Sequence, residues 1–278
     1  MESAKPLPPM NAATLLRALF HRPRRTPGVP TPRTVFRLDA IDPADVRRYR
    51  QALGFRDEGL PLTYYYLLAQ RAQLATMLEA AFPFRLPGIV HTGNTLRLEA
   101  PPRPEQALQL TTAVAIRPPA ENGAVVAVLD TAGSQDGVTV FTCRSTYLVV
   151  RGKRDGHGRH RPAGAPRPPL ATWQLARSSG RAYARVSGDW NPIHLWGWSA
   201  RLMGMKRPII HGMHTLARAC AELEDAGGRP VTVLVACFKA PAALGSALAL
   251  EAALDEGAFA VRCGGRVVAE GHFELGAD

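Results

Sequence analysis

The sequence has no CxxC pair, no glycine-rich nucleotide loop and no long apolar run, and each absence removes a class of function. Its four cysteines, Cys143, Cys220, Cys237 and Cys263, are far apart and have mostly apolar neighbours. They read as reduced core residues, not as a disulfide frame or a zinc site. Neither GxGxxG before a helix nor GxxxxGK[ST] occurs, so dinucleotide and nucleoside-triphosphate motifs are missing. No G-x-S-x-G elbow offers an acyl-serine. No apolar stretch reaches the ~18–20 residues that a membrane span needs. The expectation is a cytoplasmic-type protein with no membrane span, no metal and no resident cofactor.

What is present is globular. Hydrophobic residues make up 46% of 278 and charged residues 21%, enough for one large core or two ordinary ones. The net charge of +11 is uneven: residues 1–35 carry +5, residues 151–182 carry +7, and the rest is left with −1. Charge gathered in a tail and a linker gives no expectation of nucleic-acid binding. It reads either as solvated segments or as attraction for an anionic ligand such as a nucleotide phosphate. Residues 1–33 are expected to be a flexible basic extension. Within it, residues 11–25 have the spacing of a short basic amphipathic helix, a weak likeness to an organelle presequence that leaves an organelle matrix as the alternative compartment.

Residues 153–170, rich in Pro, Gly and Arg, read as a linker between halves at 34–152 and 171–278. The two halves repeat one order of elements. In the second, 212–226 is apolar at helical spacing and closes at Gly227-Gly228, with strands expected at 231–239, 247–254, 259–263 and 267–275. In the first, a helix over 62–82 precedes strands at 89–100, 108–116, 125–129 and 138–150. A long apolar helix followed by an antiparallel meander, twice, predicts an α+β protein in which each sheet curls around its own helix. Residues 47–55 also align with 181–189, placing Phe55 opposite Asp189 and Leu60 opposite His194.

The chemistry-bearing stretch is Arg181 to His194, followed by Arg207 to Met213. Asp189 and His194 lie five residues apart with Asn191 and Pro192 between them, which predicts a rigid loop instead of a helix. A carboxylate and an imidazole on one loop can share a water, one orienting it and one moving its proton. The Gly212 amide is expected at a helix start, where free N–H groups favour charge on oxygen. These parts suit addition of water to a double bond conjugated to a thioester, or its reversal. The alternative is structural, with Asp189 as a turn residue and His194 as its satisfied partner. His211 reads as structural at the helix start and His214 as solvent-facing. A metal on His194, His211 and His214 has no spacing signature behind it.

Tyr183-Ala-Arg-Val-Ser-Gly-Asp189-Trp-Asn191-Pro-Ile-His194, with Ala200, Gly204 and Ile210-His211-Gly212-Met213, resembles the hydratase motif of the MaoC-like family, the (R)-specific enoyl-CoA hydratases and 3-hydroxyacyl dehydratases. The resemblance implies a double hot-dog fold, with a degenerate first half and a catalytic second half. It implies reversible syn hydration of trans-2-enoyl thioesters to (3R)-hydroxyacyl thioesters. Asp189 and His194 would activate the water, Asn191 would hold that water or the aspartate, and the Gly212 amide would be the oxyanion donor. Phe55 and the 62–82 helix would line an acyl tunnel. Lys206 and Arg207 are candidates for the phosphates of coenzyme A, and Trp196 either shapes the acyl pocket or packs. The substrate would be an acyl-CoA or acyl-ACP, the chain a monomer or homodimer. A non-catalytic acyl-CoA-binding module and a hot-dog thioesterase remain the alternatives.

Overall fold

The computed structural model describes residues 4–23, 31–56, 59–152 and 168–277. In chain order its elements are β1 (Lys5–Pro6), α1 (Ala12–Phe20), β2 (Arg33–Leu38), α2 (Pro43–Leu53), α3 (Leu62–Met77), β3 (Val90–Leu98), β4 (Leu108–Ile116), β5 (Val125–Gln135), β6 (Val138–Val150), β7 (Ala171–Gln174), α4 (Ser179–Ser187), α5 (Gly197–Leu202), α6 (Gly212–Gly227), β8 (Val231–Phe238), β9 (Ala247–Ala253), β10 (Ala258–Cys263) and β11 (Arg266–Leu275). A single 3-10 turn, Pro192–His194, stands between α4 and α5.

The chain divides into two compact units, Met1–Asp42 with Tyr65–His160, and Pro43–Tyr64 with Arg161–Asp278. Residues 43–64 thus group with the second half, whereas the sequence placed them in the first. Named contacts hold them there. Arg218 donates to the Leu53 carbonyl at 2.8 Å, and Arg56 pairs with Asp225 at 2.6 Å.

In the first unit the strand order is β1-β2-β4-β5-β6-β3, antiparallel throughout except for the parallel β1–β2 pair. Alternate residues of β4, Leu108, Leu110, Thr112 and Val114, point into the core. Helix α3 is buried on nearly every side, including Tyr65, Ala69, Ala72, Gln73 and Thr76, as a helix wrapped by a sheet must be. It ends at Met77, short of the expected Phe82. Pro83 disfavours helical geometry at Phe82, and the chain leaves in tight turns such as Phe82 N–H to the Glu79 carbonyl at 3.0 Å.

Beneath α3 runs a polar seam. Gln73 donates to Thr131, Thr112 and Thr131 share a hydrogen bond, Tyr147 donates to Gln73, and Asn94 donates to Ser145. The 125–129 strand runs on to Gln135 because the Asp136-Gly137 turn, both residues at positive φ, sits at its far end. The N-terminal segment is also more built than an extension. Lys5 pairs with Phe36, Leu7 is buried, and Arg71 donates to the carbonyls of Leu7 and Pro8. The 153–170 linker lies, for residues 153–167, outside the described residues.

In the second unit the order is β8-β11-β10-β9-β7, all antiparallel. Helix α6 carries the core residues Met213, Leu216, Ala217, Cys220 and Leu223 and ends with Gly228 in the left-handed region. The buried Glu224 carboxylate accepts the Val231 amide at 3.0 Å, fixing the helix to the start of β8. Of the cysteines, Cys143 and Cys220 are buried, but Cys237 is exposed and Cys263 half-buried, so the core reading fails for those two.

Candidate active site

The aligned segments of the sequence repeat are structural counterparts. Helix α2 ends at Gly54 (φ 79), whose amide bonds the Arg50 carbonyl; helix α4 ends at Gly188 (φ 74), whose amide bonds the Ala184 carbonyl. Glycine is required at both because a side chain strains the left-handed conformation. The next residue is Phe55 in one case and Asp189 in the other. Phe55 is buried and stacks on Tyr49, ring centroids 6.1 Å apart. Asp189 begins a loop.

That loop is held by its own polar groups. The Asp189 amide donates to Ser187 Oγ, the Asn191 amide to Asp189 Oδ1 at 3.1 Å, and the Ile193 amide to Asn191 Oδ1 at 3.3 Å. Asn191 therefore holds the aspartate through its backbone, while its side chain caps the following turn. Pro192 opens that turn, so the loop contains one 3-10 turn that the sequence had not anticipated; at the first position proline's missing N–H costs nothing. Ser199 Oγ donates to the Pro192 carbonyl at 2.6 Å and Arg181 to the Leu195 carbonyl at 3.1 Å. Gly180 lets α4 approach so closely that any added Cβ would overlap the His194 carbonyl oxygen.

The His194 Nδ1 faces the Ile209 carbonyl at 2.9 Å. A carbonyl only accepts, so Nδ1 carries the hydrogen and Nε2 keeps its lone pair. His211 Nε2 likewise donates to the Asp189 carbonyl at 2.9 Å. The two imidazoles stack with centroids 3.7 Å apart. Burial pushes His194 down to about 4, with His211 adding to the shift and Asp189 and the Ile209 carbonyl opposing it. Burial also lowers His211. Both imidazoles are neutral at neutral pH.

His214 is buried, not solvent-facing: its position on α6 turns it inward against Tyr183, and burial pushes it down to about 3. Tyr183 is raised by burial and touches both His211 and His214. The sequence shows Tyr183 only as the first residue of the hydratase-like stretch, and nothing local reveals that it packs on His211 and His214.

Gly212 is the first residue of α6, with His211 as its N-cap. The amides of His214 and Thr215 return to the His211 carbonyl, so those of Gly212 and Met213 precede the first helical bonds. A Cβ on Gly212 would meet the Phe238 ring at 3.0 Å, which crowds any larger residue there.

Asp189, His194 and His211 each offer a ligand atom within 4.8 Å of the others, the one such group among the described residues. The trio differs from the one considered in the sequence, since Asp189 replaces His214. Of the four ring nitrogens, His194 Nδ1 and His211 Nε2 are each committed to a backbone carbonyl, which leaves His194 Nε2 and His211 Nδ1 as the lone pairs of the pair.

The same architecture recurs in known proteins. The MaoC like domain family matches residues 161–258. The 3-hydroxyacyl-thioester dehydratase X of Mycobacterium tuberculosis (strain ATCC 25618 / H37Rv) is 31% identical over 193 residues, 66% of this chain and 67% of that protein. The chain belongs to the MaoC-like family. A second relative from the same organism, the enoyl-CoA hydratase ChsH3, is 27% identical over 204 residues, 66% of this chain and 71% of that one. The crystal structure of HtdX from Mycobacterium tuberculosis superposes with a TM-score of 0.72 at 25% identity, over 87% of this chain and 99% of that one. A MaoC-like dehydratase from Phytophthora capsici shares the fold, with a TM-score of 0.66 at 19% identity over 89% of this chain and 97% of that one. The double hot-dog reading of the sequence agrees with these likenesses.

In this MaoC-like chain the remaining candidates are spread around the loop. Trp196 is 42% exposed and stacks on Trp198, centroids 6.2 Å apart, so it is not a packed core residue. Lys206 and Arg207 are exposed on the connection between α5 and α6. From Trp190 to Arg218 there is no acidic residue. Within the described residues no helix is long and apolar enough to cross a membrane.

Proposed function

We propose that the chain catalyses reversible syn hydration of trans-2-enoyl thioesters to (3R)-hydroxyacyl thioesters. Hydration or dehydration of acyl thioesters is the level at which its named relatives agree. The observation that carries the finer reading is a neutral His194, its Nδ1 committed to the Ile209 carbonyl, with a ring nitrogen within 4.8 Å of both an Asp189 carboxylate oxygen and a nitrogen of His211, the N-cap of α6.

In the hydration direction the water oxygen bonds to the β-carbon as His194 Nε2 accepts one of its protons. Asp189 accepts a hydrogen bond from the water's other hydrogen, which stays on the new hydroxyl, and so orients the water. The double-bond pair moves onto the thioester oxygen, where the Gly212 amide and the helix dipole hold the negative charge; one such donor contributes roughly 3–4 kcal/mol of barrier lowering. The enolate then collapses as the imidazolium of His194 gives its proton to the α-carbon and returns to the neutral form. Because water and proton come from one loop, both add to the same face. Asn191 keeps the aspartate aimed through its amide. Phe55 and Trp196 are proposed contacts for the acyl chain, and Lys206 and Arg207 for the anionic carrier, whether coenzyme A or an acyl carrier protein.

The test is the purified protein with enoyl-CoA of several chain lengths, following loss of the enoyl absorbance, the configuration of the product and any free thiol. Formation of the (3R)-hydroxy product without thiol release is the expected result. Thiol release without hydration would make the chain a thioesterase, and tight binding without turnover would make it a binding module.

A further inference from the structure

Helix α1 exposes an apolar row to solvent. At about 100° per residue, Ala13, Leu16, Leu19 and Phe20 share one side. That side is the exposed one: Leu16 is 56%, Leu19 55% and Phe20 71% exposed. Thr14 and Ala18, on the opposite side, are half-buried. A surface helix ordinarily shows its polar face to solvent and buries the apolar one. Here Thr14, Leu15 and Ala18 are half-buried, and a contiguous row of two leucines and a phenylalanine is offered outward beside the exposed Arg17.

The helix is also fixed in place. Asn11 caps it, its side chain accepting the Thr14 amide at 2.9 Å, and Thr14 Oγ1 donates to the Pro9 carbonyl at 3.0 Å. Upstream, β1 pairs with β2, and Arg71 holds the Leu7 and Pro8 carbonyls. The apolar row is therefore a mounted feature of the first unit.

The charge along this stretch of the sequence has one sign. From Ser3 to Leu38 there are seven basic residues, Lys5, Arg17, Arg22, Arg24, Arg25, Arg33 and Arg37, and no acidic one. Arg17 and Arg22, both exposed, lie at the edge and end of the apolar row. A second copy of the chain would bring the same basic segment against this one, so like charges oppose self-pairing. An apolar helical face rimmed by cations fits the headgroup boundary of an anionic bilayer, with the leucines and phenylalanine among the acyl chains and the arginines at the phosphates.

We infer that α1 is a peripheral membrane-docking helix that seats the apolar row of Leu16, Leu19 and Phe20 into an anionic lipid surface. The inference stands apart from the catalytic reading, since it uses none of the residues assigned to the Asp189–His194 site.

The experiment is flotation of the full chain with vesicles of phosphatidylcholine alone or with one third phosphatidylglycerol. Binding to the anionic vesicles, weakened by added salt, is expected, with neutral vesicles bound at least about tenfold more weakly. The Leu16→Gln/Leu19→Gln variant should bind the anionic vesicles at least about tenfold more weakly than the parent. Arg17→Glu/Arg22→Glu should lose binding and its salt dependence together. Both variants alter exposed side chains, so unchanged thermal unfolding and unchanged turnover of soluble enoyl-CoA show that they are folded. No flotation with anionic vesicles overturns the inference, as does flotation indifferent to these substitutions. A change from dimer to monomer in the leucine variant, without lipid binding by the parent, would assign the face to a second copy instead.

Discussion

The His211 ring lies on the His194 ring, centroids 3.7 Å apart and planes 30° apart, while its Nε2 holds the Asp189 carbonyl. One side chain thus touches both members of the proposed acid–base pair, and its own successor in the chain is Gly212. His211 is a positioning residue in this arrangement: it holds the two reactive groups at a fixed separation without meeting the substrate. His211→Ala should lower kcat on the order of ten- to a hundredfold, since small misplacements at a reacting centre are that costly. KM should move far less. His211→Phe keeps a ring against His194 but loses the donor to Asp189, and should fall between the parent and the alanine variant. Equal losses in kcat and KM from steady-state kinetics would point to a general collapse of the site.

Asp189→Asn and His194→Ala should each lower kcat on the order of 10²–10⁴-fold. The two act on the same water, so their effects should not multiply. The double variant is expected to be about as slow as the worse single one, measured with folding checked by circular dichroism. Near-normal rates in both single variants would sink the mechanism.

The histidines set a pH dependence whose sign follows from burial. In the folded chain His194 is pushed down to about 4 and His214 to about 3, against 6.5 when exposed. Between these values the unfolded chain binds protons that the folded chain refuses. Stability is therefore complete above about pH 6.5 and falls as pH drops toward 4, by about 2 kcal/mol per histidine at pH 5. Turnover should likewise show no titration near 6.5, because His194 is already neutral there, and should fail only as pH approaches 4 or the fold gives way. Rates and thermal midpoints measured together from mild acid to neutrality check both. A midpoint in kcat/KM near 6.5 with stability unchanged would contradict the burial of His194.

The second unit was largely legible because its signals were local. Gly227-Gly228 closed α6, glycine turns separated the strands, and Asp189, Asn191, Pro192 and His194 wrote their loop into adjacent positions. Less legible were features made by distant partners. Arg218 reaches the Leu53 carbonyl across 165 positions, which is why residues 43–64 join the second unit. His214 looked like a surface histidine until Tyr183 came to lie against it. Strand β7 gains its identity only from pairing with β9, and β1 only from β2. The orientation of α1 could not be read from periodicity, which finds an apolar face but does not say which way it points.

Gly180 offers a test in which two general rules disagree. It lies in α4, where replacing glycine by alanine ordinarily adds about 0.5–1 kcal/mol of helix stability. Its Cα hydrogen, however, faces the His194 carbonyl so closely that a methyl group would overlap the oxygen. The contact is backbone, so no side-chain rotation relieves it; α4 or the loop must move. Gly180→Ala should therefore destabilise the chain by about 1–3 kcal/mol, as overpacking does, despite its better helix propensity. Moving the His194 carbonyl also tilts the turn that carries the imidazole, so kcat should fall more than the stability loss explains at temperatures where the variant is fully folded. Gly197→Ala, at the first position of α5 with open space around its Cα, serves as the control and should leave the rate unchanged. A stabilised and fully active Gly180→Ala protein would show that α4 and the loop do not press together as closely as the fold places them.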